Sequence, residues 1–217
     1  MQLTSFQKFW SRWFPIKIRK TASAYNPFLE LYFYKGQWQL TTKDAIYSDG
    51  TRYRPLLLAF EKINDQLPQV SSVLVLGAGL GSAVWILQKK GFNPSFTLVE
   101  RDKAILKWCH EIFKDHPNLH WLEEDASRFV KHRPNRYDMV IVDIFNSQLV
   151  PEFVTQLDFL EACRALLNTN GFFIFNYIVK SEEQWKQTIA RLQSLYPNIQ
   201  VQQLGFNRIV VATKTPK

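Results

Sequence analysis

Cysteine is scarce in this chain: Cys109 and Cys163 are the two in 217 residues. Both fall within helix-like segments and read as buried apolar thiols in a reducing compartment, which argues against a disulfide scaffold. His110, His116, His120 and His132 show no ligand spacing with the cysteines, so no metal site is expected. No apolar run reaches the ~18 residues of a membrane-spanning helix. The opening MQLTSFQKFWSRWFPIKIRK is broken by charge too often for a signal peptide, and a cytoplasmic protein is expected. Internal repeats and low-complexity linkers are also absent.

Acidic residues are missing from the start of the chain, where the first is Glu30. Lys8, Arg12, Lys17, Arg19 and Lys20 all precede it. Taking these five from 27 basic residues leaves 22 against 19 acidic ones, so the net charge of +8 belongs largely to the N-terminal segment. A nucleic-acid enzyme would spread that charge around its active site, and a nucleic-acid partner is not favoured.

What is present in quantity is apolar: 46% of the chain, enough for a sizeable core. From Val73 onward strands and helices alternate. Strands are expected at 73–76, 95–100, 118–123, 137–143 and, after an Asn170-Gly171 turn, 172–177. Helices are expected at 82–90, 102–114 with Asp102 as cap, 126–132, 155–167 and 181–196 with a Ser181–Gln184 capping box. Two last strands, 199–204 and 208–213, are joined by three residues and must pair antiparallel. The alternation implies an α/β fold, a Rossmann-like parallel sheet covered on both faces that ends in an antiparallel hairpin. Residues 1–50 read as a basic segment with a small β-hairpin, 29–42, turning at Lys35-Gly36. Residues 51–217 read as the nucleoside-binding domain, entered by a helix over 51–67.

The turn after the first core strand, VLVLGAGLGSA (73–83), places Gly77, Gly79 and Gly81 two apart. A glycine turn between strand and helix lets a ligand approach the backbone and bond free helix-terminal amides. A dinucleotide fingerprint would need its third glycine at position 82, which is Ser82. Acids then recur at strand C-termini, the edge where ligands bind such sheets. Glu100 is placed to accept two ribose hydroxyls. Glu124 and Asp125 are placed for an adenine amino group. Asp143 lies near the reacting end of the ligand. Each has a plainer reading: a solvated strand-end charge, a helix cap and a loop cap, respectively.

VLVLGAGLG, LVERD, EDASRFV and YDMVIVD resemble, in order, four blocks of the spermidine synthase-like family of class I adenosyl-sulfonium transferases. SDGTRYRPLL is a degenerate match to the family's covering motif. The resemblance implies the class I methyltransferase fold, a small N-terminal β domain, a dimer, and S-adenosylmethionine, its decarboxylated form or methylthioadenosine as ligand. It also implies a catalytic role for Asp143, the first acid of the family's D-x-x-D-P loop, and a weaker one for Tyr53. The family's aminopropyltransferases carry an acid at the position of Leu80 and a second loop acid near Asn146. Those losses, with Arg54 near the cavity, favour a methyltransferase with an unassigned small-molecule acceptor. Aminopropyl transfer of the polyamine-forming kind stands as the alternative, and a non-catalytic nucleoside-binding protein as a second. Tyr53, Tyr177 and Asn146 could orient an acceptor, or serve structure only.

FQKFWSRWF (6–14) lines Phe6, Trp10, Trp13 and Phe14 along one helical stripe beside Lys8 and Arg12. Docking on the domain or on a second subunit is expected, ahead of a membrane surface.

Overall fold

The computed structural model describes residues 1–114, 116–132 and 135–216. A short helix, α1 (Ser5–Trp10), is closed by a capping box between Thr4 and Gln7. Four antiparallel strands come next, in sequence order: β1 (Ile16–Thr21), β2 (Leu29–Tyr34), β3 (Gln37–Thr41) and β4 (Ile46–Ser48). The expected hairpin is its middle pair. β1 was not legible because IKIRKT carries three cations and leaves no residue fully buried. The three-residue β4 is too short to show a period.

The sheet is not free-standing. Leu29, Leu31 and Leu40 pack against Leu80 of the glycine turn and against Ile105, Trp108 and Cys109, in the helix over 103–112. Arg19 adds a bidentate pair to Glu111 at 2.7 and 2.9 Å. The stripe on α1 does not dock on this domain. The helix buries none of its residues, and Phe6, Phe9, Trp10, Trp13 and Phe14 are exposed, with their rings in tilted contact with one another.

The rest alternates: α2 (Arg54–Lys62), β5 (Ser72–Leu76), α3 (Ser82–Lys89), β6 (Ser95–Glu100), α4 (Lys103–Ile112), β7 (Leu119–Glu123), α5 (Ala126–His132), β8 (Tyr137–Val142), α6 (Leu157–Ala165), β9 (Leu167–Ile178), α7 (Glu182–Leu195), β10 (Ile199–Leu204) and β11 (Asn207–Thr213). Their seven-stranded sheet runs β10-β11-β9-β8-β5-β6-β7. β5 through β9 are parallel, and β11 pairs antiparallel with both β9 and β10. This is the expected Rossmann-like α/β class. Large apolar clusters fill both faces, as continuous apolar strands demand.

Several bounds differ from expectation. The helix expected over 51–67 is broken into a 3-10 turn, α2 and a second 3-10 segment containing Pro68. The helix expected from 155 starts at Leu157, behind a separate 3-10 turn. Asn170 adopts φ +62° yet stays inside β9, because its N–H bonds Lys214 and continues the sheet. Leu204 pairs with Asn207, which leaves two residues in the last turn, not three.

Candidate active site

β5 and β8 are parallel neighbours in register, Leu76 opposite Val142. The chain reverses its direction of winding there, so the loops leaving the two strands meet at the switch point. Gly77 comes directly after β5 with φ +82°, and a Cβ on it would lie 2.4 Å from the Asp143 carbonyl oxygen. A Cβ on Gly79, at φ +52°, would lie 2.7 Å from Ser48 Oγ. The close approach that removes these side chains is therefore made by the protein's own β8 end and N-terminal sheet.

The amides of the turn itself, ahead of α3, are already engaged. Gly77 and Ala78 donate to the Val99 carbonyl, Gly79 to Glu100 Oε2 at 3.1 Å, Leu80 to Ser48 Oγ at 2.9 Å and Gly81 to the Ala78 carbonyl. All five N–H groups have internal partners, which makes the turn rigid before any ligand arrives.

A cavity of about 330 Å³ opens at this edge. It gathers Tyr53, Gly77, Gly79, Glu100, Glu124, Asp125 and Asp143. Gly81 is not among its lining residues and faces Phe113 and Trp121 instead. Asp49 and Asp102 also line the cavity, making six carboxylates against the guanidinium groups of Arg52, Arg54 and Arg101. A chain of net charge +8 thus has an acid-rich site, suited to a cationic ligand.

At its centre, Asp143 Oδ1 accepts from Asn176 Nδ2 at 2.8 Å and from Tyr53 Oη at 3.1 Å. Asn176 Nδ2 also reaches Tyr53 Oη at 3.2 Å, and Asn176 Oδ1 accepts from Asn207 Nδ2 at 2.8 Å. Burial pushes the Asp143 carboxyl up to about 6, against the opposing pull of the Asn176 and Tyr53 hydrogen bonds. Burial, reinforced by the charge of Asp143, pushes the Tyr53 phenol well above its ordinary value, so it donates and stays protonated. A carboxylate poised near neutrality in a pocket suited to cations is a competent proton acceptor.

Glu100 clips the turn to its own strand: Oε2 takes the Gly79 N–H, and Oε1 takes the Asp102 N–H at 3.0 Å. Burial raises its carboxyl above the usual range. Asp125 both caps and lines. Its Oδ1 accepts from the N–H of Ser127 at 2.8 Å and from the Ser127 hydroxyl, while Oδ2 faces Arg101 at 4.0 Å. Glu124 lines the same wall. Asp102 caps α4 through Ala104 and, fully buried, also holds Ser23 and Asn26 of the N-terminal region.

Sequence reasoning missed Asn176 and Asn207. The signal for Asn176 was one amide within FFIFNYI, a polar residue in a strand that is otherwise a buried apolar run. Its neighbour Tyr177, named as an acceptor contact, points to the opposite face and stacks on Phe175 and Trp185. Asn146 is exposed, bonded to Arg101, and does not line the cavity. Leu80 is 1% exposed and lies in the apolar seam with Leu29 and Trp108. It does not face the cavity, so the inference drawn from its apolar side chain has no geometric basis.

A family model described as "Spermine/spermidine synthase domain" matches residues 57–204. The polyamine aminopropyltransferase of Alkaliphilus oremlandii is 26% identical over 179 residues, covering 77% of this chain and 60% of that protein. Its counterpart in Clostridium perfringens is 27% identical over 179 residues, with the same shares covered. The chain thus spans about 60% of the length of these curated relatives. A probable spermidine synthase from Corynebacterium glutamicum superposes with a TM-score of 0.74 at 18% identity, covering 93% of this chain and 80% of that one, which is a likeness of fold. The preference for a methyltransferase is corrected by these findings: the relatives are named aminopropyltransferases, the reaction held as the alternative.

Proposed function

This chain belongs to the spermine/spermidine synthase domain family, and we propose that it transfers an aminopropyl group from decarboxylated S-adenosylmethionine to an amine. The observation that carries the proposal is Asp143, held by Asn176 and Tyr53 with its carboxyl near pH 6, inside a cavity whose charged walls are mostly acidic. The donor is a sulfonium and an ammonium together, and the acceptor is an ammonium in solution. Both are cations, and an acid-rich pocket offsets their desolvation.

The chemistry assigned to each group comes from its position. The nucleoside lies along the β6 and β7 ends, against Glu100, Glu124 and Asp125, with Gly77 and Gly79 beneath it. The reacting carbon lies at the switch point, by Asp143. The Asp143 carboxylate takes a proton from the acceptor amine, whose nitrogen then attacks the carbon bonded to the sulfonium sulfur. The carbon–sulfur bond breaks, its electron pair neutralises sulfur, and methylthioadenosine leaves. Tyr53 and Asn176 hold the carboxylate in place throughout. Positioning and one proton acceptor suffice, since the sulfonium is already a good leaving group. A homodimer is part of the proposal, with the exposed aromatic face of α1 as its candidate contact.

The test is product formation. Purified protein is incubated with decarboxylated S-adenosylmethionine and a panel of primary amines, and methylthioadenosine is quantified by mass spectrometry. Its accumulation only when an amine is present supports the proposal. Its absence with every amine overturns it.

A further inference from the structure

The sheet order divides the cavity into two halves. β6 and β7, on one side of the switch point, supply Glu100, Glu124 and Asp125. β9, β11 and β10, on the other side, supply Ile178, Asn207 and Leu204. Pro55 and Phe153 add apolar walls, and Arg54 is exposed at the start of α2. Among the described residues, the carboxylates that line the cavity away from the β6 and β7 ends are Asp143 and Asp49.

Asp49, which lines that side, and Glu182, which lies near it, are both already paired with arginine. Asp49 accepts from Arg52 at 2.6 and 3.3 Å and from Gln39 at 3.1 Å, so its charge is neutralised. Glu182, at the start of α7, pairs with Arg208 at 3.3 Å and does not line the cavity. Asn207 and Asn176 spend their amides on one another and on Asp143.

Resting on the aminopropyl-transfer reading, we infer that the acceptor is a primary amine whose far end carries no second cation. One ammonium meets Asp143. A second, several carbons further on, would be desolvated among Ile178, Leu204 and Phe153 with Arg54 as its charged neighbour, which opposes binding. A neutral or carboxylate-bearing tail fits those walls, and a carboxylate would gain from Arg54. The specificity therefore differs from that of a diamine acceptor, and Arg54 is a specificity-determining residue.

The experiment compares 1-aminobutane, 4-aminobutanoate and 1,4-diaminobutane as acceptors at saturating decarboxylated S-adenosylmethionine, read as methylthioadenosine formed. We expect kcat/KM for either monoamine to exceed that for the diamine at least tenfold. Arg54→Glu and Arg54→Gln, at an exposed position that leaves folding intact, should each move the ratio toward the diamine, the glutamate further. A diamine preferred by the wild type overturns the inference and leaves aminopropyl transfer standing. A ratio unmoved by Arg54→Glu overturns the role of Arg54. No product with any of the three overturns the aminopropyl reading, and the inference with it.

Discussion

Asn176 donates its side-chain amide to Asp143 across 2.8 Å, joining two residues 33 positions apart in the chain. Parallel pairing of β8 with β9 places Val142 opposite Phe175, so the next residues on the two strands sit side by side at the C-terminal edge. Asn176 is 1% exposed, and its other partners are Tyr53 and Asn207. A buried amide this fully engaged fixes the direction of the carboxylate it serves.

Asp143 sets the first expectation. Its carboxyl titrates near 6, so kcat/KM should rise with pH through about 6 and then level. Asp143→Asn should lower kcat/KM by about 10²-fold or more and remove that limb. The raised value also enters stability. The folded state binds the proton more tightly than the unfolded one, so the contribution is full below the unfolded value and is lost as pH rises through about 6. The stability of Asp143→Asn relative to wild type should thus improve by up to about 2 kcal/mol between pH 4 and pH 8, measured by urea unfolding.

Asn176→Ala tests positioning apart from mere packing. The Asn176 hydrogen bond lowers the Asp143 carboxyl, so losing it should move the acid limb of the rate profile to higher pH. A variant whose kcat falls with no change in that limb would show that Asn176 only supports the fold.

Gly77→Ala and Gly91→Ala separate crowding from backbone strain. Both residues have positive φ, +82° and +87°, but a Cβ meets the Asp143 carbonyl at Gly77 and nothing within 4 Å at Gly91. The strain alone is worth about 1–2 kcal/mol. Gly91→Ala should cost about that, and Gly77→Ala clearly more, with loss of activity. Equal costs by denaturant unfolding would refute the crowding account.

Leu80→Asp should not retune the choice of donor, which is the effect its position in the glycine turn first suggests. It would place a carboxylate in the seam between the N-terminal sheet and α4. The expected result is a loss of about 3 kcal/mol or more of stability, with an unchanged ratio of affinities for S-adenosylmethionine and its decarboxylated form. Urea unfolding and competition calorimetry read the two effects.

Trp10→Ser with Trp13→Ser removes two exposed rings that bury nothing in the monomer core. Stability at low concentration should stay within about 0.5 kcal/mol of wild type. The proposed homodimer predicts a sedimentation mass that falls to the monomer in this variant. An unchanged mass would exclude α1 as the contact.

The elements of the main sheet, its parallel class, the glycine turn and the acids at strand ends could all be read from the sequence, because each is written in local periodicity. Strands show continuous apolar runs, helices show caps such as Asp102 and Ser181, and turns show glycine. What could not be read is whatever depends on pairing at a distance. Strand order put Glu100, Asp125 and Asp143 around one cavity and left Gly81 outside it. The packing of Leu29 and Leu31 on α4 turned Leu80 inward, so the residue that weighed most in choosing a reaction faces the core. Asn176 and Asn207 gained their roles from the β9–β11 register, in which Ile209 lies opposite Asn176 and Arg208 opposite Tyr177. A one-dimensional pattern specifies which face of an element is apolar. Which polar groups then meet is decided only when the sheet closes and burial leaves each of them to find a partner.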